Sequence, residues 1–160
     1  MEQLIGAFLK WLTEAGFPAV RRLPQGVFPQ IKGTVVAVGV EQAEAKDAGF
    51  FSYLGVTQRD GKEAALYGKR LEATISLEVV SPETIGAAAC MQEADKILTQ
   101  LSGGIGGLTL TKITAGACSY DAAGAYYSCK VTAKAEGYLY ALSNEEETEF
   151  TDFMLKGEAK

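Results

Sequence analysis

The start of the chain has the apolar spacing of an amphipathic helix. We predict a helix over about residues 2–15, because apolar side chains recur there three and four positions apart. These side chains belong to Leu4, Ile5, Phe8, Trp11 and Leu12. Gly16 then offers a left-handed stop, and Pro18 prevents the helix from resuming. One amphipathic helix is not stable alone, so we expect this stripe to pack against another element.

A period of two replaces the helical spacing in the middle of the chain. Residues 18–30 contain three prolines and are predicted to form an extended connector. A strand is predicted from Gly33, and a polar patch over residues 41–47 follows it. The aromatic run over residues 49–54 is predicted to be a second strand or a loop arm. Asp-Gly at residues 60–61 then predicts the turn of a β-hairpin.

The clearest alternation covers about residues 69–80. The side chains predicted to point to one face are Leu71, Ala73, Ile75, Leu77 and Val79. Those predicted to point to the other face are Arg70, Glu72, Thr74, Ser76 and Glu78. Such strict alternation predicts one buried face and one that meets water or a partner, as in an antiparallel sheet.

A second helix is predicted after this strand. Ser81 suits the N-cap, Pro82 the first helical position, and Glu83 the positive end of the helix dipole. Its apolar stripe comprises Ile85, Ala88, Ala89, Met91, Ala94, Ile97, Leu98 and Leu101, and Gly103-Gly104 ends the helix. Two further strands are predicted at about residues 107–117 and 126–141.

This order of elements predicts an α+β fold. Adjacent strands separated by one long helix favour a mostly antiparallel sheet with two helices packed on one face. We assign this domain to residues 1–142 and an acidic C-terminal arm to residues 143–160. The arm combines an acidic segment, formed by Glu145, Glu146, Glu147 and Glu149, with an apolar cluster over residues 150–155. We therefore expect it to pair with a sheet edge, its own or a neighbour's.

Composition and charge argue against several classes of protein, among them disordered chains and nucleic-acid binders. The chain has 160 residues, 48% of them hydrophobic, which suits one domain with one core and excludes disorder for most of it. The net charge is −5, and the closest approach to a basic cluster is Arg21-Arg22. The excess of acidic residues argues against tight binding to nucleic acid and against binding to an anionic membrane surface. Without a basic start or an apolar run of about 20 residues, we expect a protein made and kept in a cytosol.

The chain contains no histidine, which removes several kinds of catalytic and metal site. Ser-His-Asp and Cys-His nucleophiles are excluded, as are zinc sites of mixed Cys/His type. The three cysteines are Cys90, Cys118 and Cys129, an odd number without a C-x-x-C pair and too dispersed for an all-Cys site. Cys118 and Cys129 flank the turn segment 121–124 and are placed to face each other across a hairpin. We interpret all three as reduced, buried thiols because of the compartment.

Two weaker chemical signals are interpreted as structural. The glycine run over residues 103–107 lacks the Lys-Ser/Thr of a phosphate loop and follows a helix, so we predict a turn. Carboxylates such as Glu72 and Glu78 lie on the polar face of a strand, where charges are ordinarily solvated; carboxylate chemistry stays a formal possibility. We expect no enzyme activity, no cofactor and no metal.

The aromatic residues supply the candidate site. Consecutive residues of a strand point to opposite faces, so one member of each aromatic pair tends to be exposed. Exposed Tyr and Phe are typical of subunit interfaces. The predicted interface residues are Phe50, Phe51, Tyr53, Tyr138, Tyr140, Phe150 and Phe153.

The layout resembles the tail terminator, or tail completion, proteins of long-tailed bacteriophages and related phage-tail particles. The resemblance covers about residues 1–141. In its first half it is carried by the N-terminal helix, a strand pair with a long arm around Val35 to Val56, and the alternating strand Leu71–Val79. In its second half it is carried by the helix predicted from Ser-Pro-Glu to Leu101 and by a last hairpin that ends Glu136-Gly137-Tyr138-Leu139-Tyr140.

The resemblance implies a homohexameric ring that sits on the finished tail tube, ends its polymerisation and offers a surface for head joining. Its implied partners are the tail tube protein, a head–tail connector or neck protein, and a sheath protein if the tail is contractile, with no sequence-specific nucleic acid and no membrane. Such a ring uses heterologous contacts that close, and strand addition is one means of making them. The implied location is a virion tail or phage-tail-like particle, assembled in the bacterial cytoplasm. The alternatives are another tail component, such as a tube or baseplate subunit, and less favourably a small-ligand binding module.

Overall fold

The computed structural model describes residues 1–22, 31–59, 61–142 and 153–156. Two helices and eight strands occur in these ranges. In chain order they are α1 Glu2–Glu14, β1 Ala19–Arg21, β2 Val35–Asp47, β3 Tyr53–Arg59, β4 Lys62–Pro82, α2 Ala87–Leu101, β5 Thr109–Ala115, β6 Ser119–Asp121, β7 Tyr126–Leu142 and β8 Phe153–Lys156. The α+β class and the mostly antiparallel sheet predicted from the sequence are confirmed.

Three long strands form the centre of the sheet. The main strand order is β1-β2-β4-β7-β5, with β3 paired to β4 and with β6 and β8 paired to β7. β4 is central: β2 and β3 follow each other along one of its edges, and β7 lines the other. β1 and β2 pair in parallel, whereas the other described pairs are antiparallel.

The core lies between one face of the sheet and both helices. The five residues predicted to face inward from β4 are all buried, at 7% exposure or less. One continuous cluster joins them to Leu4, Phe8 and Leu12 of α1 and to Cys90, Ala94, Ile97 and Leu101 of α2. Each large apolar side chain buried in this way contributes about 1.5–3 kcal/mol, which is why both helices dock on the same face.

The second helix begins later than its sequence signals predict. Ser81 is not an N-cap: it is a fully buried residue of β4, and its hydroxyl lies 3.0 Å from that of Thr34. Pro82 is the last residue of the strand and lies opposite Tyr126. A turn follows, and Gly86 (φ 93°) precedes the first residue of α2. The cross-strand pairing and the buried hydroxyl contact outweigh the local preference of Ser-Pro for a helix start.

The later start also changes the apolar stripe of α2. Ala94, Ile97 and Leu101 are buried as predicted, but Ile85 is in the preceding turn and Met91 is about half exposed. Cys90, which the predicted stripe omits, has no exposed surface.

The predicted polar patch over residues 41–47 is part of a strand. β2 continues to Asp47, because its backbone pairs in register with that of β4 as far as Lys69. The predicted strand at 69–80 is likewise only part of β4, which runs from Lys62 to Pro82. Within the predicted connector, Ala19–Arg21 forms β1, and residues 23–30 lie outside the described ranges.

The remaining predictions of local structure are mostly confirmed. β3 and β4 form the predicted hairpin, with Arg59 opposite Lys62. The glycine run is a turn after α2, with Gly104 at φ 82°. β5 and β7 match the two predicted strands, but the short strand β6 was missed. In the arm, β8 pairs with β7 of the same chain; residues 143–152 and 157–160 lie outside the described ranges, so the domain boundary stays a prediction.

Candidate interaction surface

The helices cover only part of the sheet. Among the residues of β4, the main core cluster begins at Leu71, and the strand extends nine residues further toward its start at Lys62. Neither described helix lies over this region, and we call it the uncovered end of the sheet. It comprises β3 with the turn Phe50–Ser52 that precedes it, residues 62–70 of β4, residues 138–142 of β7, and β8. Ala64 and Leu66 are buried there, but strand alternation places them on the face opposite the helices.

The strand register collects most of the predicted interface residues at this end. Tyr53 lies opposite Tyr67, Tyr67 opposite Ala141, and Ala141 opposite Phe153, so one row crosses four strands. Tyr140 belongs to the next row. The structure thus brings together residues that are up to a hundred positions apart in the sequence. Phe150 lies outside the described residues.

Tyr138 sits in the same region but on the other face. It is half-buried and lies opposite Arg70 in the register of β4 and β7. Both side chains are on the face without helices, where Tyr138 is close to the charge of Arg70. The predicted set of aromatic residues is therefore divided between the two faces of the uncovered end.

An exposed tyrosine pair marks the face that carries the helices. The rings of Tyr53 and Tyr67 meet edge to face, with centroids 5.6 Å apart and planes at 65°. The two residues remain 45% and 36% exposed. Tyr67 was missed in the sequence, although extending the alternation of β4 from Leu71 backwards places it on this face.

The turn before β3 adds a third exposed aromatic residue. Phe50–Ser52 forms a single 3₁₀ turn in which Phe51 (φ 53°) and Ser52 (φ 60°) adopt left-handed backbone angles. Such angles are unfavourable for residues other than glycine and concentrate at functional sites. Phe51 is 83% exposed, and Val56 of β3 is half exposed. Phe51, Tyr53 and Val56 are thus close to one another along the chain, and Tyr67 joins them through its ring contact with Tyr53.

A shallow apolar cavity of about 220 Å³ borders this region. It lies between the first turn of α1 and the sheet, and its sheet-side walls come from Ala43, Ala45, Leu71 and Leu139. The small alanine side chains leave this space open. An ion pair between Lys69 and Asp47, with 3.2 Å between Nζ and Oδ1, lies next to it in the register. Lys69 and the Ser52 hydroxyl together lower the pKa of the Asp47 carboxyl.

The face without helices carries a ladder of alternating charges. Lys46 Nζ lies 2.8 Å from Glu72 Oε2, and Arg70 Nη2 lies 2.6 Å from Glu136 Oε2. The hydrogen bond from Lys46 lowers the pKa of Glu72. Hydrogen bonds to these carboxylates also raise the pKa values of Lys46 and Arg70.

The ion pairs of this ladder affect whether its carboxylates could act as acid–base catalysts, which the sequence leaves open. A polar cavity of about 120 Å³ is lined by Glu44, Glu72 and Glu136. A general acid needs a raised pKa, and the pKa of Glu72 is lowered instead. Within the described ranges, no group of three or more Cys, Asp or Glu residues is arranged to hold a metal ion. Neither described helix is both long and apolar enough to cross a membrane.

Comparison with known proteins adds no relative to this picture. The chain matches no protein-family model, and no curated protein matches it either. The fold and the uncovered end of the sheet therefore carry the functional argument.

Proposed function

We propose that this protein is a structural assembly protein that forms a ring, caps a phage tail tube, ends its polymerisation and provides the head-joining surface. The observation that carries the assembly role is the uncovered end of the sheet, where Phe51, Tyr53, Val56 and Tyr67 are exposed. Aromatic residues of this kind are enriched at the centres of protein interfaces. The tail-terminator role rests on the resemblance of the whole layout to that family.

Backbone groups at the same end support subunit contact. In the described part of the chain, β3 pairs on one side only, with β4. An unpaired strand edge offers donors and acceptors for strand addition from another chain. A contact between this end of one subunit and a different surface of the next is heterologous, and repeated contacts of that kind close into a ring at a suitable rotation.

The charge ladder supports a ring through which DNA passes. Lys46, Arg70 and Lys130 on the helix-free face each pair with a carboxylate of the same face. A lysine or arginine already paired in this way is less available to neutralise a phosphate. Three cations of a lumen lined by this face are thus balanced, whereas the exposed Lys134 of the same face forms no ion pair with a described residue.

The cavities give weaker support to the alternative of a small-ligand module. Ligand sites ordinarily have volumes of about 300–1,000 Å³ and enclose most of the ligand. The apolar cavity beside α1, at about 220 Å³, is smaller than that range. We therefore favour contact between proteins at this surface.

The oligomeric state tests the proposal. Light scattering on the purified chain, with negative-stain imaging, is expected to show a closed ring with the mass of six subunits. A strict monomer, also in the presence of tube protein, would contradict the proposal. Spontaneous filaments would instead favour a tube subunit.

A matched pair of tyrosines tests the surface. Tyr53 and Tyr120 are both 45% exposed, and each contacts the ring of another tyrosine. Tyr53 lies at the uncovered end, whereas Tyr120 lies on β6. We expect Tyr53→Ser to weaken ring formation at least tenfold, on the scale of an interface hot spot of about 2 kcal/mol, and Tyr120→Ser to leave it unchanged. Equal effects of the two substitutions, measured by light scattering over a concentration series, would exclude this end as the interface.

A further inference from the structure

The core of the subunit ends in an open apolar cavity beside the first turn of α1. Ala43 and Ala45 point to the same face of the sheet as the buried Ala73 and Leu71, which lie opposite them in the register of β2 and β4. Both alanines are nevertheless exposed, and the cavity of about 220 Å³ lies between them and α1. The apolar surface of β2 thus continues beyond the part that the helix covers.

The lining of this cavity favours an apolar group of the size of a phenyl ring. Among the described residues that line it, none has a charged side chain and Gln3 alone has a polar one. A charged or polar ligand would lose hydration there with few partners in return, which is unfavourable. An apolar cavity of about 150 Å³ is large enough to bind benzene, so this one accommodates the ring of a phenylalanine.

Phe51 presents such a ring at the same end of the molecule. It is 83% exposed, so most of its ring is in water. The turn that carries it is held at its base, where the Ser52 hydroxyl donates a hydrogen bond to Asp47 Oδ1 at 3.0 Å and Lys69 Nζ lies 3.2 Å from the same oxygen. A side chain on a turn fixed in this way loses less conformational entropy on binding than one on a flexible segment.

We propose that the Phe51 ring of one subunit inserts into the cavity beside α1 of the next subunit. The ring does not fill the cavity of its own chain, because it is exposed and is not among the residues that line that cavity. Ring and cavity match in size and in chemistry, and both belong to this chain, so a second copy supplies the complementary group. The inference rests on the proposed assembly function and names the contact that joins its subunits.

The side chains around Phe51 extend this contact. Tyr53, Val56 and Tyr67 are between 36% and 50% exposed. Since an aromatic side chain buries about 150–250 Å², these residues and Phe51 supply about half of the roughly 800 Å² that each partner buries in a stable interface. The edge of β3, which within the described ranges pairs on one side only, is available for the rest. Phe51 and the cavity are different surfaces, so the contact is heterologous, as a ring requires.

Two exposed apolar side chains test whether Phe51 anchors the contact. Phe51→Ser is expected to weaken ring formation about tenfold or more, which is the scale of an interface hot spot. Met91→Ser is the matched control, because Met91 is about half exposed on α2, and it is expected to leave ring formation unchanged. Light scattering over a concentration series measures both. Ring formation by Phe51→Ser at the wild-type concentration would overturn the proposal.

Two substitutions at one position test the cavity. Ala45→Leu places a larger apolar side chain in the space that the ring enters, and it is expected to weaken ring formation about as strongly as Phe51→Ser does. Ala45→Ser keeps the cavity open and is expected to assemble as the wild type does. Residue 45 is exposed in the subunit, so neither change removes a core side chain. Unchanged or stronger assembly of Ala45→Leu would show that the contact does not use the cavity.

A photocross-link identifies the chain that receives Phe51. Unlabelled chains with para-azidophenylalanine at position 51 are assembled together with isotope-labelled wild-type chains, irradiated and digested with trypsin. The azide then lies in the peptide of residues 47–59, and the cavity residues lie in the peptides of residues 1–10, 33–46, 71–96 and 135–156. We expect the unlabelled azide peptide to be joined to labelled cavity peptides, which only another chain can supply.

The outcomes separate this contact from the ring itself. Rings in which the azide peptide reaches no cavity peptide of another chain would overturn the inserted contact and leave the proposed ring intact. A chain that stays monomeric, also with tube protein present, would contradict the proposed ring and the contact with it.

Discussion

Ser81 is a polar side chain without exposed surface, and the Thr34 hydroxyl is its partner at 3.0 Å. This contact joins the end of β4 to the residue that precedes β2. A buried hydroxyl that loses its partner costs about 1–3 kcal/mol, so the pair fixes the end of the strand as well as stabilising it. Its role differs from that of an N-cap, which acts only on its own helix.

A double-mutant cycle separates these two roles. We expect Ser81→Ala to lower the free energy of unfolding by about 1 kcal/mol, a loss that an N-cap would also produce. The Thr34→Val substitution distinguishes the two roles. If Ser81 contacts Thr34 at the end of the strand, the effects of the two substitutions on the free energy of unfolding are coupled by about 0.5–1.5 kcal/mol. Urea denaturation of both single variants and the double variant measures the coupling. Simple additivity would contradict the contact.

The Cys90 thiol predicts a stability change at alkaline pH. Its folded-state pKa of about 12 exceeds the ordinary value of 9.0, chiefly because burial disfavours the thiolate. The folded chain therefore holds this proton more tightly than the unfolded chain does. The resulting stabilisation is complete below pH 9 and is lost as the pH rises from 9 to about 12.

Cys90→Ala isolates this contribution, because it leaves all other alkaline titrations in place. We expect the free energy of unfolding of the wild type to fall relative to that of Cys90→Ala across this alkaline range. Chemical denaturation at a series of pH values measures the difference. A difference that is constant with pH would show that Cys90 is not held as a buried thiol.

At the scale of elements, α1 is held by the sheet rather than by its own helical propensity. Phe8 and Leu12 have no exposed surface, and both belong to the core cluster shared with β2 and β4. We expect Phe8→Ala to cost about 3–5 kcal/mol in the free energy of unfolding, because it leaves a cavity between helix and sheet. Urea denaturation measures this loss.

Lys10→Ala is the control for Phe8→Ala. Lys10 is on the exposed side of the same helix, where its ion pair with Glu14 spans 3.8 Å. Its loss is expected to change stability by no more than about 0.5 kcal/mol. Similar effects of the two substitutions would mean that α1 is not docked on the sheet.

The elements also show where sequence patterns succeed and where they fail. Alternation in β4 and helical spacing in α1 report burial directly, so the inward residues from Leu71 to Val79 and the stripe of α1 were predictable. The start of α2 was not predictable. Ser81 and Pro82 carry local signals for a helix start, but their place in β4 depends on contacts with Thr34 and Tyr126, which are distant in the sequence. Tertiary contacts overrode local propensity at that point.

The candidate site was predictable in part for the same reason. The aromatic residues were visible in the sequence, and their tendency to be exposed followed from strand geometry. The alignment of Tyr53, Tyr67 and Phe153 into one row depends on the register of β3, β4, β7 and β8, which no local pattern specifies. The contact of the Cys90 thiol in α2 with the carbonyl oxygen of Val79 in β4, 3.3 Å away, likewise follows from helix docking and was missed.

At the scale of the whole molecule, the two faces of the sheet carry different side-chain chemistry. One face holds both helices and, beyond them, the exposed tyrosine pair and the apolar cavity. The other face carries paired charges. In the ring that we propose, the first face would present apolar surface to neighbouring subunits and the second would line the lumen.

We propose that a ring of this chain ends the growth of a tail tube. The most direct measurement is the length of tubes polymerised from a tail tube protein of the same genome, imaged by negative stain with increasing amounts of this chain. We predict that tubes become shorter as the chain is added and that a ring of this chain is visible at a tube end. Tube lengths that do not change, with no ring at either end, would contradict the claim.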